Sequence, residues 1–419
     1  MIFKRKLYDK LLVWKQQTAG TKALLIEGAR RIGKSTLVEE FAKNEYRSYL
    51  MIDFNKVSDS VISAFNNYMN DLDTFFLILS SEYGVRLYPK ESIIIFDEIQ
   101  QFPKARQAIK YLVADGRFDY IETGSLISIK ENVNDITIPS EERTLLMYPM
   151  DFEEFAWAMN EEPLMAYIRQ CFDKKVPLEQ GIHAKAMLLF RQYMIVGGMP
   201  KSLSAYLENN RSFEMADMEK RDILTLYRND IKKIKSGYRS SVLSIFDQIP
   251  AFLSRSERRV VMNRIEKGAS FPKYHDTFFW LSDSMIANEC FNCSDPNVGL
   301  SLNEDRTYVK CYMGDTGLLI SHTFDENEIS DGELYREILL GKLSVNEGMF
   351  YENVIAQMLV AAGHKLYFYT RYNQEKHRND MEIDFILSNH SKLRYKIFPI
   401  EVKSNDKYSI SSLTRLNER

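Results

Sequence analysis

An α/β fold built on a parallel sheet is predicted for the first third of this chain, from three observations. The first is a short apolar run, Ala23-Leu24-Leu25-Ile26, that leads through Gly28-Ala29-Arg30-Arg31-Ile32-Gly33-Lys34-Ser35 into an apolar-periodic segment ending at Phe41. This is the G-x-x-x-x-G-K-[ST] spacing in the strand–loop–helix context that a phosphate-binding loop requires. The second is the run Ile93-Ile94-Ile95-Phe96, closed by Asp97-Glu98. A continuous β-branched run of this kind reads as a strand buried on both faces, as parallel strands are. The third is the alternation of strand-like and helix-like segments between residues 21 and 148, the pattern of a sheet with crossover helices.

Each element has its own reason. Residues 1–20 read as an amphipathic helix, with Leu7, Leu11, Leu12 and Trp14 among Lys and Gln. Strands are expected near 23–27, 48–54, 92–97, 119–123 and 143–148, and helices near 34–43, 72–81 and 104–114. Gly28 and Gly33 let the loop turn its N–H groups inward, and the following helix offers its positive N-terminal end. Lys34 is expected to reach the outer phosphates of a triphosphate and Ser35 to hold Mg²⁺. Gly28, Arg31, Gly33, Lys34, Ser35 and Thr36 are therefore the candidate nucleotide-binding residues. Asp97 and Glu98 stand at a C-terminal strand end, where open α/β sheets bind ligands. Asp97 is expected to support the metal and Glu98 to polarise an attacking water. A third strand, Asp119-Tyr120-Ile121-Glu122, leads into Thr123-Gly124-Ser125. There Ser125 or Thr123 can bond the water or the γ-phosphate, or cap the next helix.

The 419 residues are too many for one core and suit two or three domains. A hydrophobic content of 45% and a charged content of 27% are those of an ordinary globular chain. The net charge of −3 gives no global pull toward nucleic acid or membrane. No apolar run approaches the roughly 20 residues of a membrane helix, and no signal-peptide core follows Lys4-Arg5-Lys6. A cytoplasmic protein without a membrane partner is expected, and the four cysteines suit a reducing compartment. Cys290 and Cys293 form a lone C-x-x-C near Cys311, read as buried thiols in preference to a zinc site.

After Tyr148-Pro149 helical segments are expected at 151–159, with Asp151 as cap, and at 164–172, 183–195 and 202–235, with a stop at Gly197-Gly198-Met199-Pro200. From Arg228 to Lys273 there are 11 basic and 4 acidic residues, a formal charge of 11 − 4 = +7. Together with strand-like residues at 307–313 this suggests a winged-helix arrangement. Contact with a phosphate backbone and a solvated face balanced by acidic neighbours both fit it. From about Leu334 the chain is α/β again. Tyr351, Val354, Ile355, Met358, Leu359 and Ala362 form a helical apolar stripe, and strands are expected at Leu366–Thr370, Glu382–Leu387 and 396–403. Glu401 and Lys403 project on one strand face. With Asp384 and Glu352 they make a candidate site for metal-assisted phosphodiester hydrolysis, in which Asp384 and Glu401 bind Mg²⁺, Lys403 orients the water and Glu352 completes the shell.

Taken in order, the Gly28–Ser35 loop, Asp97-Glu98-Ile99-Gln100, Thr123-Gly124-Ser125, Tyr148-Pro149-Met150-Asp151-Phe152, Gly197-Gly198-Met199-Pro200, Asp315-Thr316-Gly317-Leu318, Glu382-Ile383-Asp384-Phe385 and Glu401-Val402-Lys403 form a series. It resembles the prokaryotic AAA+-like P-loop ATPases that carry a C-terminal domain of unknown function. The resemblance implies a P-loop NTPase parallel sheet over 1–148, a helical lid over 149–205 and a winged-helix-like region over 206–330. It implies an α/β restriction-endonuclease-like domain over 331–419, similar to the PD-(D/E)xK nucleases, with Glu352, Asp384, Glu401 and Lys403 at the matching positions. It further implies ATP and Mg²⁺ as cofactors. Arg143 falls where such ATPases place an arginine that serves its own or a neighbouring subunit in an oligomer, although a plain surface role fits it equally. The stretch after Lys403 is short for a nuclease-like sheet, so a shortened domain is expected. Three functions are carried forward: an ATPase acting on or with DNA, a nucleotide-dependent switch that recruits a protein partner, and a Mg²⁺ nuclease gated by ATP.

Overall fold

The computed structural model describes residues 1–124, 140–234, 237–255, 258–265, 271–297, 299–325, 332–342, 347–373, 378–388, 397–404 and 408–418. They divide into two compact units, Met1–Tyr148 and Pro149–Arg419.

The first unit runs α1 (Lys6–Gln17), β1 (Ala23–Glu27), α2 (Lys34–Glu45), β2 (Ser48–Asp53), α3 (Asp59–Asn67), α4 (Leu72–Tyr83), β3 (Ser92–Asp97), α5 (Pro103–Asp115), β4 (Asp119–Gly124) and β5 (Glu142–Leu146). The five strands form one sheet in the order β2-β3-β4-β1-β5, and every pairing is parallel. On one face Ala23, Leu25, Ile94, Phe96 and Tyr120 pack against Val61, Phe65, Phe75, Leu79, Ile109 and Leu112 of α3, α4 and α5. Each such side chain contributes roughly 1.5–3 kcal/mol through burial. Helix α3 is short, and its Val61, Ala64 and Phe65 are buried; it begins where Ser58 Oγ accepts a hydrogen bond from Val61 N at 3.4 Å. The edge strand β5 is fastened by Arg106 of α5, which donates to Glu142 at 3.0 and 2.8 Å. Beside that pair Glu122 is wholly enclosed; burial first, then Glu142, pushes its carboxyl well above the usual range.

One consequence of the strand order positions the site. Because β4 lies between β1 and β3, the C-terminal end of β4 stands between the loop after β1 and the acidic end of β3. Ser35 and Asp97, 62 residues apart in sequence, and Thr123, a further 26 along, are thereby brought to one edge of the sheet.

The second unit contains α6 (Phe152–Ala158), α7 (Glu162–Lys174), α8 (Gln180–Val196), α9 (Pro200–Glu208), α10 (Phe213–Lys232), α11 (Arg239–Leu253), α12 (Met262–Ile265), α13 (Phe271–Asp283), β6 (Ala287–Cys293), β7 (Glu304–Met313), α14 (Thr316–Thr323), α15 (Gly332–Leu340), α16 (Glu347–Ala361), β8 (Leu366–Asn373), β9 (Arg378–Ser388), β10 (Ile397–Ile400) and α17 (Ser411–Asn417). Asp151 caps α6 in a capping box with Glu154. Five strands form a second sheet in the order β10-β9-β8-β6-β7. Strand β6 pairs antiparallel with β7 and parallel with β8. Strand pairing thus crosses residue 330, where the sequence suggests a boundary: β6 and β7 do not stand apart as a wing, because β6 is an interior strand of the C-terminal sheet.

The glycine-rich stop and the Asp315-Thr316-Gly317-Leu318 segment interlock. Asp315 caps α14, accepting from Leu318 N at 2.9 Å, and its other oxygen accepts from Gly198 N at 2.6 Å. Gln357 of α16 donates to Asp315 at 3.2 Å and to Tyr193 Oη at 3.0 Å, while Asn353 accepts from Met313 N at 2.8 Å. These partners explain why α16 buries Glu352, Asn353 and Gln357 as well as Phe350 and Val354, where a purely apolar stripe is expected from the sequence. Lys220 of α10 is entirely enclosed and donates to the carbonyls of Ile195 at 2.7 Å and Gly317 at 3.3 Å.

Candidate nucleotide site

The loop between β1 and α2 is held from beneath by Arg5, which donates to Ile32 O at 3.0 Å and Tyr148 O at 2.6 Å. Gly33 (φ 91°) enters α2 in the left-handed conformation, which suits glycine. Gly28 is required for a different reason: a Cβ there would overlap the Met147 carbonyl oxygen and Ile32 Cδ1. Arg31 takes φ 68° with an exposed side chain, and Thr36 is exposed in the first turn of α2.

Lys34 is buried, and its ammonium lies across the loop, donating to Gly28 O at 2.9 Å and Ala29 O at 2.8 Å. Burial lowers its pKa to about 8 against the opposing pull of Glu98 and Asp97. The folded value lies below the unfolded one, so the nucleotide-free protein binds fewer protons than the unfolded chain between pH 8 and 10.5 and gains stability as pH rises through that window. Phosphate binding needs the charged form. The Kd for ATP is therefore expected to rise above pH 8, by at most about tenfold per pH unit, and to be flat with pH in Lys34→Met. Titration calorimetry across pH 7–9.5 checks this; a wild-type Kd that does not change removes Lys34 from the phosphate contact.

At the strand ends Asp97 is the hub. Its Oδ1 accepts from Ser35 Oγ at 2.8 Å and from Thr123 Oγ1. Thr123 Oγ1 also accepts from Glu98 N at 3.4 Å. Glu98 itself sits in the left-handed region, φ 54° and ψ 47°, where a non-glycine residue stores about 1–3 kcal/mol. Its carboxylate is clasped by Gln100 Nε2. A hydroxyl and a carboxylate at hydrogen-bond distance form an oxygen-only donor pair, which fits Mg²⁺ held by one or two protein groups plus substrate phosphates.

Lys34, Ser35, Asp97 and Glu98 are thus brought together. Ser125 lies outside the described residues, and Thr123 is the hydroxyl that the structure places in the site. Gln100 and Arg5 are further members without a motif to mark them; Arg5 is remote in sequence from both carbonyls it holds. Arg143 stands apart from this cluster in strand register. It is exposed on the edge strand and registered with Leu24, three residues short of the Leu146–Glu27 pair at the nucleotide end. At about 3.3 Å per residue that is roughly 10 Å along the strand from that pair.

The structure also places the C-terminal candidates. Glu352, Asp384, Glu401 and Lys403 do converge with Glu382, but the described residues hold no group of three His, Cys, Asp or Glu placed to ligate a metal ion. The cations are already supplied by the chain: Lys310 lies 3.2 Å from Glu352 and 3.0 Å from Glu382, and Arg258 engages the other Glu352 oxygen. Lys403 donates to Glu401 at 2.7 Å, and Asp384 accepts from Val402 N at 2.8 Å. Lys310 carried a signal, a lysine inside the otherwise apolar run Val309–Met313. Cys290, Cys293 and Cys311 are buried free thiols.

The basic segment is also largely engaged. Arg228 bonds Asp247 at 3.1 Å and Asp325 at 2.8 Å, Arg239 donates to Ile234 O at 2.7 Å, and Lys233 pairs with Asp230 at 3.1 Å. Arg259 lies over the Tyr308 ring at 5.1 Å. Lys235 and Lys267 lie outside the described residues, as do the side chains of Arg264 and Lys273. No helix among the described residues is long and apolar enough to cross a membrane.

Residues 20–156 match the family described as an AAA domain, and residues 187–328 and 347–419 match two families each described as a domain of unknown function. The loop, the parallel sheet and the acidic strand end all lie within the residues matched by the AAA domain family. No curated protein matches the chain. Among solved structures it is similar to the Thermotoga maritima RuvB Holliday junction branch migration motor, at 12% identity over 68% of this chain and 89% of that one, with a TM-score of 0.28. It is also similar to AMPPCP-bound DnaA from Aquifex aeolicus, at 11% identity over 68% and 90% with a TM-score of 0.25. A third is Cdc6p from Pyrobaculum aerophilum, at 11% identity over 80% and 93% with a TM-score of 0.26. At these TM-scores the likeness adds nothing to the assignment.

Proposed function

We propose that the first unit binds ATP with Mg²⁺ and hydrolyses it, and that the second unit turns the nucleotide state into contact with a partner. The observation that carries the reading is the Ser35–Asp97–Thr123 hydrogen-bond cluster with Glu98 beside it, at the sheet edge next to the Lys34 ammonium. Gly28, Arg31, Gly33, Lys34, Ser35 and Thr36 cradle the phosphates; Ser35 and Asp97 hold Mg²⁺, which supplies charge neutralisation on the phosphate oxygens. Glu98 orients the water and polarises its O–H bond, and Thr123 fixes the Glu98 backbone. Arg143 acts only from a second copy, if the ATPase assembles.

Between DNA and a protein as partner, the engaged state of Arg228, Arg239 and Arg258 favours a protein. A phosphate backbone would have to break these pairs, and the steep salt dependence of DNA binding comes from cations that are free to contact phosphate. Steady-state ATP hydrolysis with Mg²⁺, with and without duplex and single-stranded DNA, tests this. The expected result is hydrolysis above the Glu98→Gln background that DNA does not change. Stimulation by DNA that vanishes at high salt would return the protein to the DNA-acting class.

A further inference from the structure

The second unit contains a cavity of about 510 Å³ lined by Glu382, Asp384, Glu401, Lys403, Arg258 and a set of serines. By composition it is the carboxylate site in which a divalent ion would be expected. The geometry is different. Lys310 has no exposed side-chain surface, and its ammonium lies 3.0 Å from Glu382 Oε1, 3.2 Å from Glu352 Oε1 and 3.9 Å from Asp384 Oδ1. The Phe368 ring lies below it, 5.0 Å from the nitrogen. Tyr312 Oη donates to the same Glu352 oxygen, and Arg258 covers the other.

A magnesium ion sits about 2.0–2.1 Å from its oxygens. Placed on Glu352, Glu382 and Asp384, it would share the space of the Lys310 nitrogen and meet its charge at close range. Moving the lysine aside is no remedy. An enclosed ammonium is stable only when paired, and breaking a buried pair by removing one partner is strongly destabilising. We propose that Lys310 is the resident cation of the Glu352–Glu382–Asp384 cluster, standing where a divalent ion would stand, and that this cluster consequently takes neither Mg²⁺ nor Mn²⁺. The inference does not rest on the ATPase reading, and either can fail without the other.

The test counts Mn²⁺ bound to the full chain without nucleotide, by electron paramagnetic resonance. Wild type and Asp384→Asn are expected to bind equal amounts. Lys310→Met leaves the carboxylates without their cation, and is expected to gain one Mn²⁺ per chain that Lys310→Met/Asp384→Asn loses again. An Mn²⁺ in wild type that Asp384→Asn loses, or a folded Lys310→Met that gains none, overturns the proposal. If Lys310→Met does not fold, thermal melting of the two foldable proteins decides. Added Mn²⁺ should shift wild type and Asp384→Asn equally, since only a bound ion stabilises by mass action. A larger rise in wild type overturns the proposal.

Discussion

Replacing Glu98 by Gln is expected to lower the steady-state rate of ATP hydrolysis by about 10²–10⁴-fold, the range a positioned acid–base group supplies, while leaving ATP affinity within about threefold, a change of under 1 kcal/mol. The substitution keeps shape: the glutamine carbonyl can accept the Gln100 Nε2 hydrogen bond as the carboxylate does, and the left-handed backbone held by Thr123 is untouched. What is lost is the negative charge that polarises the water. Binding is read with a fluorescent ATP analogue and turnover by phosphate release. Turnover retained in Glu98→Gln would take hydrolysis away from this residue; loss of binding as well would show that Glu98 supports the loop and not the water.

Gly198→Ala is expected to be the most damaging single methyl in the second unit. A Cβ at 198 would overlap the Met150 carbonyl oxygen and stand 2.8 Å from Met150 N. Neither side can yield cheaply. Met150 N donates to Gly198 O at 2.8 Å and Tyr193 Oη donates to Met150 O at 2.8 Å, while Gly198 N is bonded to Asp315. Overlap with a fixed backbone belongs with the severe classes of mutation, at about 3 kcal/mol or more, or roughly 6–12 °C in Tm for a unit of this size. Gly363→Ala, where nothing lies within 4 Å and only a positive φ of 88° is at stake, should cost about 1 kcal/mol. Differential scanning calorimetry compares them. Equal, small shifts would mean that the 150–198 contact gives way easily.

The elements with an internal signature were legible from the chain. β1 and β3 begin and end where their apolar runs do, at Ala23–Glu27 and Ser92–Asp97, because a strand covered on both faces has no polar positions to blur the pattern. The capping role of Asp151 was legible for the same kind of reason, since the cap and its Glu154 partner are three residues apart. Helix α3 and strand β6 were not. One is only nine residues long, and the other mixes Asn, Glu and Cys, so their burial depends on neighbours from elsewhere in the chain.

The same division runs through the sites. The sequence by itself determined the phosphate loop, the acidic strand end and the α/β class of the first unit, because loop glycines, a lysine and a strand–helix junction act within a few residues of one another. Only the tertiary structure decided that Thr123 and Gln100 bracket Asp97 and Glu98, that Arg143 stands far along an edge strand, and that Arg228, Arg239 and Arg258 are already paired. It alone placed Lys310 of β7 among carboxylates from α16 and β9. A charge is read from the chain at one position, but the potential it feels is set by whichever charges folding brings within a few ångströms, and those lie far away along the chain, as Arg228 and Asp325 do, 97 residues apart.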